Sequence, residues 1–221
     1  MDRSRAPYSN QAGPHPDLEN VVRRHLQSEY LRPISATTRE VFERLWPCVE
    51  QHDGALILDA GCGNGHSSTI LAERFPQALV IGVDKSPRRL QGHLDGQPFM
   101  RRDKLILCRA NLLDLWRLAV DAGWHLTRHY LLYPNPWPKK RHLQRRWYGH
   151  AVLPAILALG GQLEVRSNWQ EYIHEFATAL RLAGCHCDHG LLQGETVLTP
   201  FETKYHNSGH PLYYCRCDLS T

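Results

Sequence analysis

Apolar runs and polar breaks alternate along this chain at spacings that read as strands and helices in turn. ALILDA (55–60) is a short apolar run that opens into the glycine-rich GCGNG (61–65). Such a run against a glycine break predicts a buried strand entering a tight turn. A helix is predicted over 67–75, with Ser67 or Ser68 as its cap. ALVIGVD (78–84), KLILCR (104–109), HYLLY (129–133) and GQLEVRS (161–167) predict four further strands. Helical periodicity fills 112–122, 147–159 and 170–182, and 19–52 predicts two helices broken near Pro33. The final ~35 residues predict a pair of strands around TPFETKYHNSGH (199–210). Strand and helix alternate throughout, so the expected fold is α/β, a doubly wound and mostly parallel sheet with helices on both faces. Residues 1–18 are polar and carry Pro and Gly without periodicity, which predicts a flexible arm. Residues 19–221 are then one domain, with helices over 19–52 and the sheet core over 55–221.

Composition changes little in that picture. At 221 residues, 42% hydrophobic and 22% charged, the chain suits a single globule with a sizeable core. No long apolar run predicts a membrane span and no signal peptide is evident, so the expected compartment is the cytoplasm. The seven cysteines then read as reduced thiols. Cys185, Cys187, Cys215 and Cys217 form C-x-C pairs, which lack the C-x₂₋₄-C spacing of zinc sites, so no metal is assigned. The net charge of +4 gives no strong overall field. Charge is concentrated locally: Lys139, Lys140, Arg141, Arg145 and Arg146 follow the rigid corner YPNPWP (133–138), and Arg101, Arg102 and Lys104 form a second group. A charge run is most often a solvated face. A rigid polar corner beside a cationic tail suggests more, a place for a reacting group next to a place for a polyanion.

In a doubly wound sheet, ligands bind beyond the carboxyl ends of the strands. Asp59, Asp84, Asn111, Asn135 and Asn168 all fall at or just past predicted strand ends, so their side chains converge on one rim. Gly61, Gly63 and Gly65 allow a close backbone approach to a ligand. Asp84, nineteen residues past Gly65, is placed to accept from a ribose diol. NAD and S-adenosylmethionine (SAM) both carry that ribose. Asp59 favours SAM, because a carboxylate there pairs with an ammonium and repels a pyrophosphate. The spacing G-x-G-x-G followed by His66 also departs from the full G-x-G-x-x-G of dinucleotide folds. Asn111 is placed to read an adenine edge by donating and accepting together.

On these residues the chain resembles the bacterial SAM-dependent tRNA (guanine-N7)-methyltransferases. DAGCGNG (59–65) is similar to that family's SAM loop and GVD (82–84) to its ribose acid. YPNPWPKKRHLQRR (133–146) resembles its most specific run, aromatic-Pro-Asp-Pro-Trp-Pro-Lys-Lys-Arg-His followed by Arg-Arg. SNWQEY (167–172) resembles its Thr-Asp-Trp segment and TPFE (199–202) its substrate loop, so the likeness covers roughly 40–205. The resemblance implies a class I, Rossmann-like methyltransferase fold, SAM as methyl donor, and tRNA as partner with guanine N7 of the variable loop as target. It implies SAM contacts at Asp59, Gly61, Gly63, Gly65, Asp84, Asn111 and Asn135, with Asn135 at the catalytic corner. It implies tRNA contacts at Arg141, His142, Arg145 and Arg146, and puts Lys139, Asn168, Thr199, Phe201 and Glu202 toward the target nucleotide. A monomer or weak homodimer is expected, with no protein partner and no membrane.

Two departures stand out. Asn135 and Asn168 occupy positions where the family carries Asp, and each removes a negative charge beside the reacting base. Two alternatives stay open on those residues. One is a methyltransferase for an exocyclic amine or another non-tRNA substrate, since Asn135-Pro136-Trp137 is one proline short of an Asn-Pro-Pro-aromatic corner. The other is a SAM- and RNA-binding protein without turnover. A nicotinamide enzyme leaves Asp59 and the cationic loop without a role.

Overall fold

The structure, a computed structural model, describes residues 7–11 and 13–220. The first six residues of the expected arm, together with Ala12, lie outside the described residues, as does Thr221. Two helices lead in, α1 (Leu18–Leu26) and α2 (Ala36–Glu50), separated by an extended stretch through Pro33. Ser35 caps α2 by accepting from Thr38 N at 3.3 Å. The core then runs β1 (Leu56–Ala60), α3 (His66–Arg74), β2 (Leu79–Asp84), α4 (Pro87–Leu94), β3 (Phe99–Arg102), β4 (Leu105–Arg109), α5 (Leu112–Asp121) and β5 (Arg128–Leu132). After the corner come α6 (Leu153–Ala158), β6 (Gln162–Ser167), α7 (Gln170–Leu182), β7 (Cys187–Leu191), α8 (Pro200–Asn207) and β8 (Tyr213–Asp218).

The eight strands form one sheet in the order β3-β4-β2-β1-β5-β6-β8-β7. The five central strands are parallel, and their apolar runs are buried on both faces as such strands require. β3 pairs antiparallel with β4, and β8 runs antiparallel between β6 and β7. The larger core joins one sheet face to α1, α2, α5, α6 and α7. A smaller one lies on the other face, where Ile57, Val80 and Tyr130 meet Leu71 of α3. Gly82 makes that second contact possible: a Cβ there would sit 2.2 Å from Ser68 Oγ.

Three local expectations need correction. The segment 147–159 is not one helix: a 3-10 turn at Trp147–Gly149 precedes α6, because Pro154 is tolerated only in a helix's first turn. The loop between the last two strands contains α8. α4 and β3 lie where no element is expected. α4 buries only Leu90 and Leu94, and β3 is a half-exposed edge, so neither leaves a strong periodic trace.

Candidate active site at the carboxyl rim of the sheet

Strand order reverses at β1, with β2 on one side and β5 on the other, so a crevice opens beyond the carboxyl ends of these two strands. Asp59 lies in β1 at this point and is 1% exposed. Ser67 and Ser68 each donate to its Oδ2, at 2.6 and 2.7 Å. Its Oδ1 is buried with no hydrogen-bond partner. An orphaned buried carboxylate oxygen is costly and marks a place where a cation or donor is missing. Burial raises the Asp59 carboxyl to about 6, against the two serine hydrogen bonds, which lower it. The serines are therefore ligands of Asp59 and not helix caps. The N-cap of α3 is Gly65, at φ 79.

The turn after β1 is held by backbone bonds from Gly61 N and Cys62 N to Val83 O, at 2.8 and 3.0 Å. Gly61 and Gly63 have φ of 85 and 61, and a Cβ on either would meet nothing within 4 Å. That open space is what close backbone approach to a ligand needs. Asp84 ends β2 and is buried; its Oδ2 accepts from Gly63 N at 3.1 Å and its Oδ1 from Ser86 N at 2.7 Å. Arg89 Nη1 also reaches Oδ2, at 3.3 Å. Asn111 caps α5, its Oδ1 accepting from Leu113 N at 3.1 Å. Its oxygen therefore has a structural task, and the amide nitrogen is the group left for a base edge.

The corner after β5 is tightly bent. Tyr133 and Trp137 adopt φ of 52 and 46, left-handed values that bulky residues seldom take. The bend is held by Tyr133 N donating to Arg166 O at 2.9 Å and Trp137 N donating to Asn135 Oδ1 at 3.2 Å. Asn135 itself is exposed on the rim. Strain of this kind persists where the surroundings over-determine it, often at functional sites.

The basic loop is a 3-10 turn, Lys140–Arg145. Lys139, Lys140, Arg141 and Arg145 are exposed, and Arg145 lies 4.8 Å from the centroid of the Trp137 ring. His142 meets the same ring edge-on at 5.4 Å. Desolvation and then Arg145 and Arg141 hold its imidazole below the usual value. Arg146 is placed elsewhere. It is fully buried, with Nη1 2.6 Å from Glu175 Oε2 and Nε donating to Trp137 O at 3.2 Å. Its guanidinium has no exposed face for a phosphate, contrary to the expected tRNA contact. Residues 7–11 and 13–17, described parts of the expected arm, include contacts at this pair. Ser9 Oγ donates to Pro138 O at 2.7 Å and His15 N to Glu175 Oε1 at 2.6 Å.

The substrate-loop residues divide likewise. Thr199 and Glu202 are buried. Thr199 Oγ1 caps α8 by accepting from Glu202 N at 3.2 Å, and Glu202 Oε1 pairs with Arg166 Nη1 at 3.0 Å. The carboxylate expected to face a guanine is thus committed to Arg166. Phe201 is 43% exposed and stacks on Tyr205, which stacks on His210 at 5.6 Å and 12°. Asn168 Nδ2 lies 3.3 Å from His210 Nδ1. Arg166 and Glu175 are functional-site supports that the sequence reading missed. The available signal was a charged residue inside an otherwise buried strand or helix face.

Among the described residues no helix is long and apolar enough to cross a membrane. Among them also, no group of three or more His, Cys, Asp or Glu is placed to hold a metal.

This sheet order, with an open glycine turn and two buried acids at the switch point, defines a class I SAM-dependent methyltransferase. A family model described as "Putative methyltransferase" matches residues 53–215. The chain belongs to that family. It is 29% identical over 196 residues to a tRNA (guanine-N(7)-)-methyltransferase of Geobacillus kaustophilus, covering 85% of this chain and 88% of the relative. It is 28% identical to the protein of the same name from Methylococcus capsulatus, covering 73% and 77%. Among solved structures, a variant of the 16S rRNA (adenine(1408)-N(1))-methyltransferase of Catenulisporales acidiphilia, with cosubstrate SAM, matches at a TM-score of 0.54 and 18% identity. That match covers 80% of this chain and 91% of the other, and it is a likeness of fold.

Proposed function

We propose that the protein transfers a methyl group from SAM to tRNA, at guanine N7 of the variable loop. The observation that carries this reading is the match, over 85% of the chain, to an enzyme named for that reaction. The rim supports it. SAM, when bound, supplies the methyl group at an electrophilic carbon beside its sulfonium. Asp59 Oδ1 would accept from the methionine ammonium, Gly61 and Gly63 leave room for close approach, and Asp84 would accept from the ribose diol. Asn111 meets the adenine edge through its amide nitrogen.

Guanine N7 offers a lone pair, so the chain needs no general base. Its task is alignment, which can contribute up to ~7–11 kcal/mol. The strained corner fixes the backbone around Asn135 on the rim. N7 attack leaves positive charge on the base, and Asn135 answers it with a dipole where a carboxylate would offer a full charge. Asn135→Asp is therefore expected to raise the single-turnover methylation rate several-fold. An unchanged or lower rate would remove that argument.

Phe201 and Lys139 face the target nucleotide, with Asn168, while Lys140, Arg141 and Arg145 hold tRNA phosphates. One chain carries all of these residues, which suits a monomer or weak homodimer acting in the cytoplasm. The test is incubation of the purified protein with SAM and unmodified tRNA, then mass spectrometry of the digested nucleosides. 7-Methylguanosine is the expected product. A different methylated nucleoside would favour the exocyclic-amine reading. SAM binding without product would favour a binder.

A further inference from the structure

A cavity of about 410 Å³ opens away from the rim, on the sheet face that carries α3, beside the starts of β5 and β6. Arg74, the last residue of α3, and Arg128, the first of β5, stand in its wall with Arg216 of β8. Tyr130 and Thr196 add hydroxyls. None of these residues belongs to the proposed methyl-transfer site.

The charges in the wall are unevenly matched. Glu164 and Glu195 also line it, but both are already shared between two arginines. Arg166 Nη2 lies 2.6 Å from Glu164 and 3.1 Å from Glu195, and Arg216 pairs with the same two acids. Arg74 and Arg128 have no carboxylate within ion-pair reach among the described residues. Both guanidiniums lie over the Phe75 ring, 5.4 and 5.0 Å from its centroid. Two like charges are thus gathered at one aromatic ring without an acid between them, at an electrostatic cost. A concave site lined by one unneutralised sign concentrates counter-ions. Guanidinium forks match phosphate oxygens in pairs, more closely than an ammonium can.

We propose that this cavity is a phosphate-binding site, with Arg74 and Arg128 as its anion clamp and Tyr130 and Thr196 as hydroxyl donors. The phosphate is carried either by a small phosphorylated molecule or by an RNA backbone. The inference does not rest on the methyl-transfer reading, because its readout needs neither SAM nor turnover.

The experiment measures the unfolding temperature against inorganic phosphate, at constant ionic strength set with chloride. It compares the unsubstituted protein with Arg74→Gln, Arg128→Gln, the double variant and Arg128→Lys. Phosphate is expected to raise the midpoint of the unsubstituted protein, the double variant to lose most of that rise, and Arg128→Lys to keep part of it. Without phosphate the two single Gln variants are expected to unfold no earlier than the parent, since each removes one of two repelling charges. Arg74→Gln, at an exposed helix end, carries the comparison alone if the double variant does not fold.

A second arm titrates tRNA against salt. If RNA supplies the phosphate, the slope of log affinity on log salt falls by about one to two in the double variant. If a free molecule supplies it, that slope is unchanged while the phosphate-induced rise is lost. An equal rise in parent and double variant would place the anion elsewhere and overturn the proposal. So would no rise in either, together with an unchanged slope.

Discussion

Asp59 shows how one side chain joins fold to chemistry. Its carboxyl is raised from 3.8 to about 6 because burial penalises the charged form more than two serine donors relieve it. The folded state therefore holds this proton more tightly than the unfolded chain does. The contribution of this group to stability is present at low pH and lost as pH rises from about 4 to about 6, up to ~3 kcal/mol. A bound cation reverses the balance by favouring the ionised form. SAM affinity, measured by calorimetry, is expected to rise by about tenfold per pH unit below 6 and to level off above it. Asp59→Asn should flatten that profile and weaken binding throughout. Arg146 teaches the opposite lesson. In the sequence it is one of five cations within residues 139–146, and nothing local separates it from Arg145. What separates them is Glu175, an acid on the face of α7 that buries Tyr172, Ile173 and Phe176. An acid in a buried stripe requires a partner, and the partner is 29 residues back in the chain. Arg146→Met leaves Glu175 buried without a counter-charge, though still hydrogen-bonded by His15 N and Tyr148, at an expected cost of about 3–5 kcal/mol in urea unfolding. The double variant Arg146→Met/Glu175→Leu should lose clearly less.

At the scale of elements, legibility followed burial. β1, β2, β4, β5 and β6 announce themselves as apolar runs because both of their faces are covered. α5 and α7 show their stripes because each packs one face on the sheet. The glycine turn and Asp84 could be placed on the rim from the sequence because strand ends are sharp there. α4 and β3 lack a full face and left no comparable trace. TPFE reads by resemblance as a substrate loop, and the structure gives it a second task as a helix start: Thr199 at the N-cap accepts from Glu202 N, with Pro200 in the first turn. Thr199→Ala is therefore expected to cost about 1 kcal/mol of stability by urea unfolding. Its effect on the Michaelis constant for tRNA should be small. A large change in that constant with unaltered stability would restore the substrate contact.

Over the whole molecule, a net charge of +4 conceals a loop that presents four exposed cations beside the rim. Removing Lys139, Lys140, Arg141 or Arg145 singly should reduce the salt slope of tRNA binding by about one each. Replacing Arg146 should leave the slope alone even where it lowers stability, which separates the loop's surface role from its anchor. The order of the strands was the least legible feature, since pairing partners far apart in the chain leave no mark on either segment. That order has a consequence for how the protein is made. β7 precedes β8 in the chain, yet β8 lies between β7 and β6 in the sheet. A nascent chain that has exposed β7 has no neighbour to give it. β7 must wait, held near α7, until the ribosome has released the next strand and β8 closes the gap. Chains halted before Tyr213 should keep a sheet ending at β6, with that edge open to association with other chains.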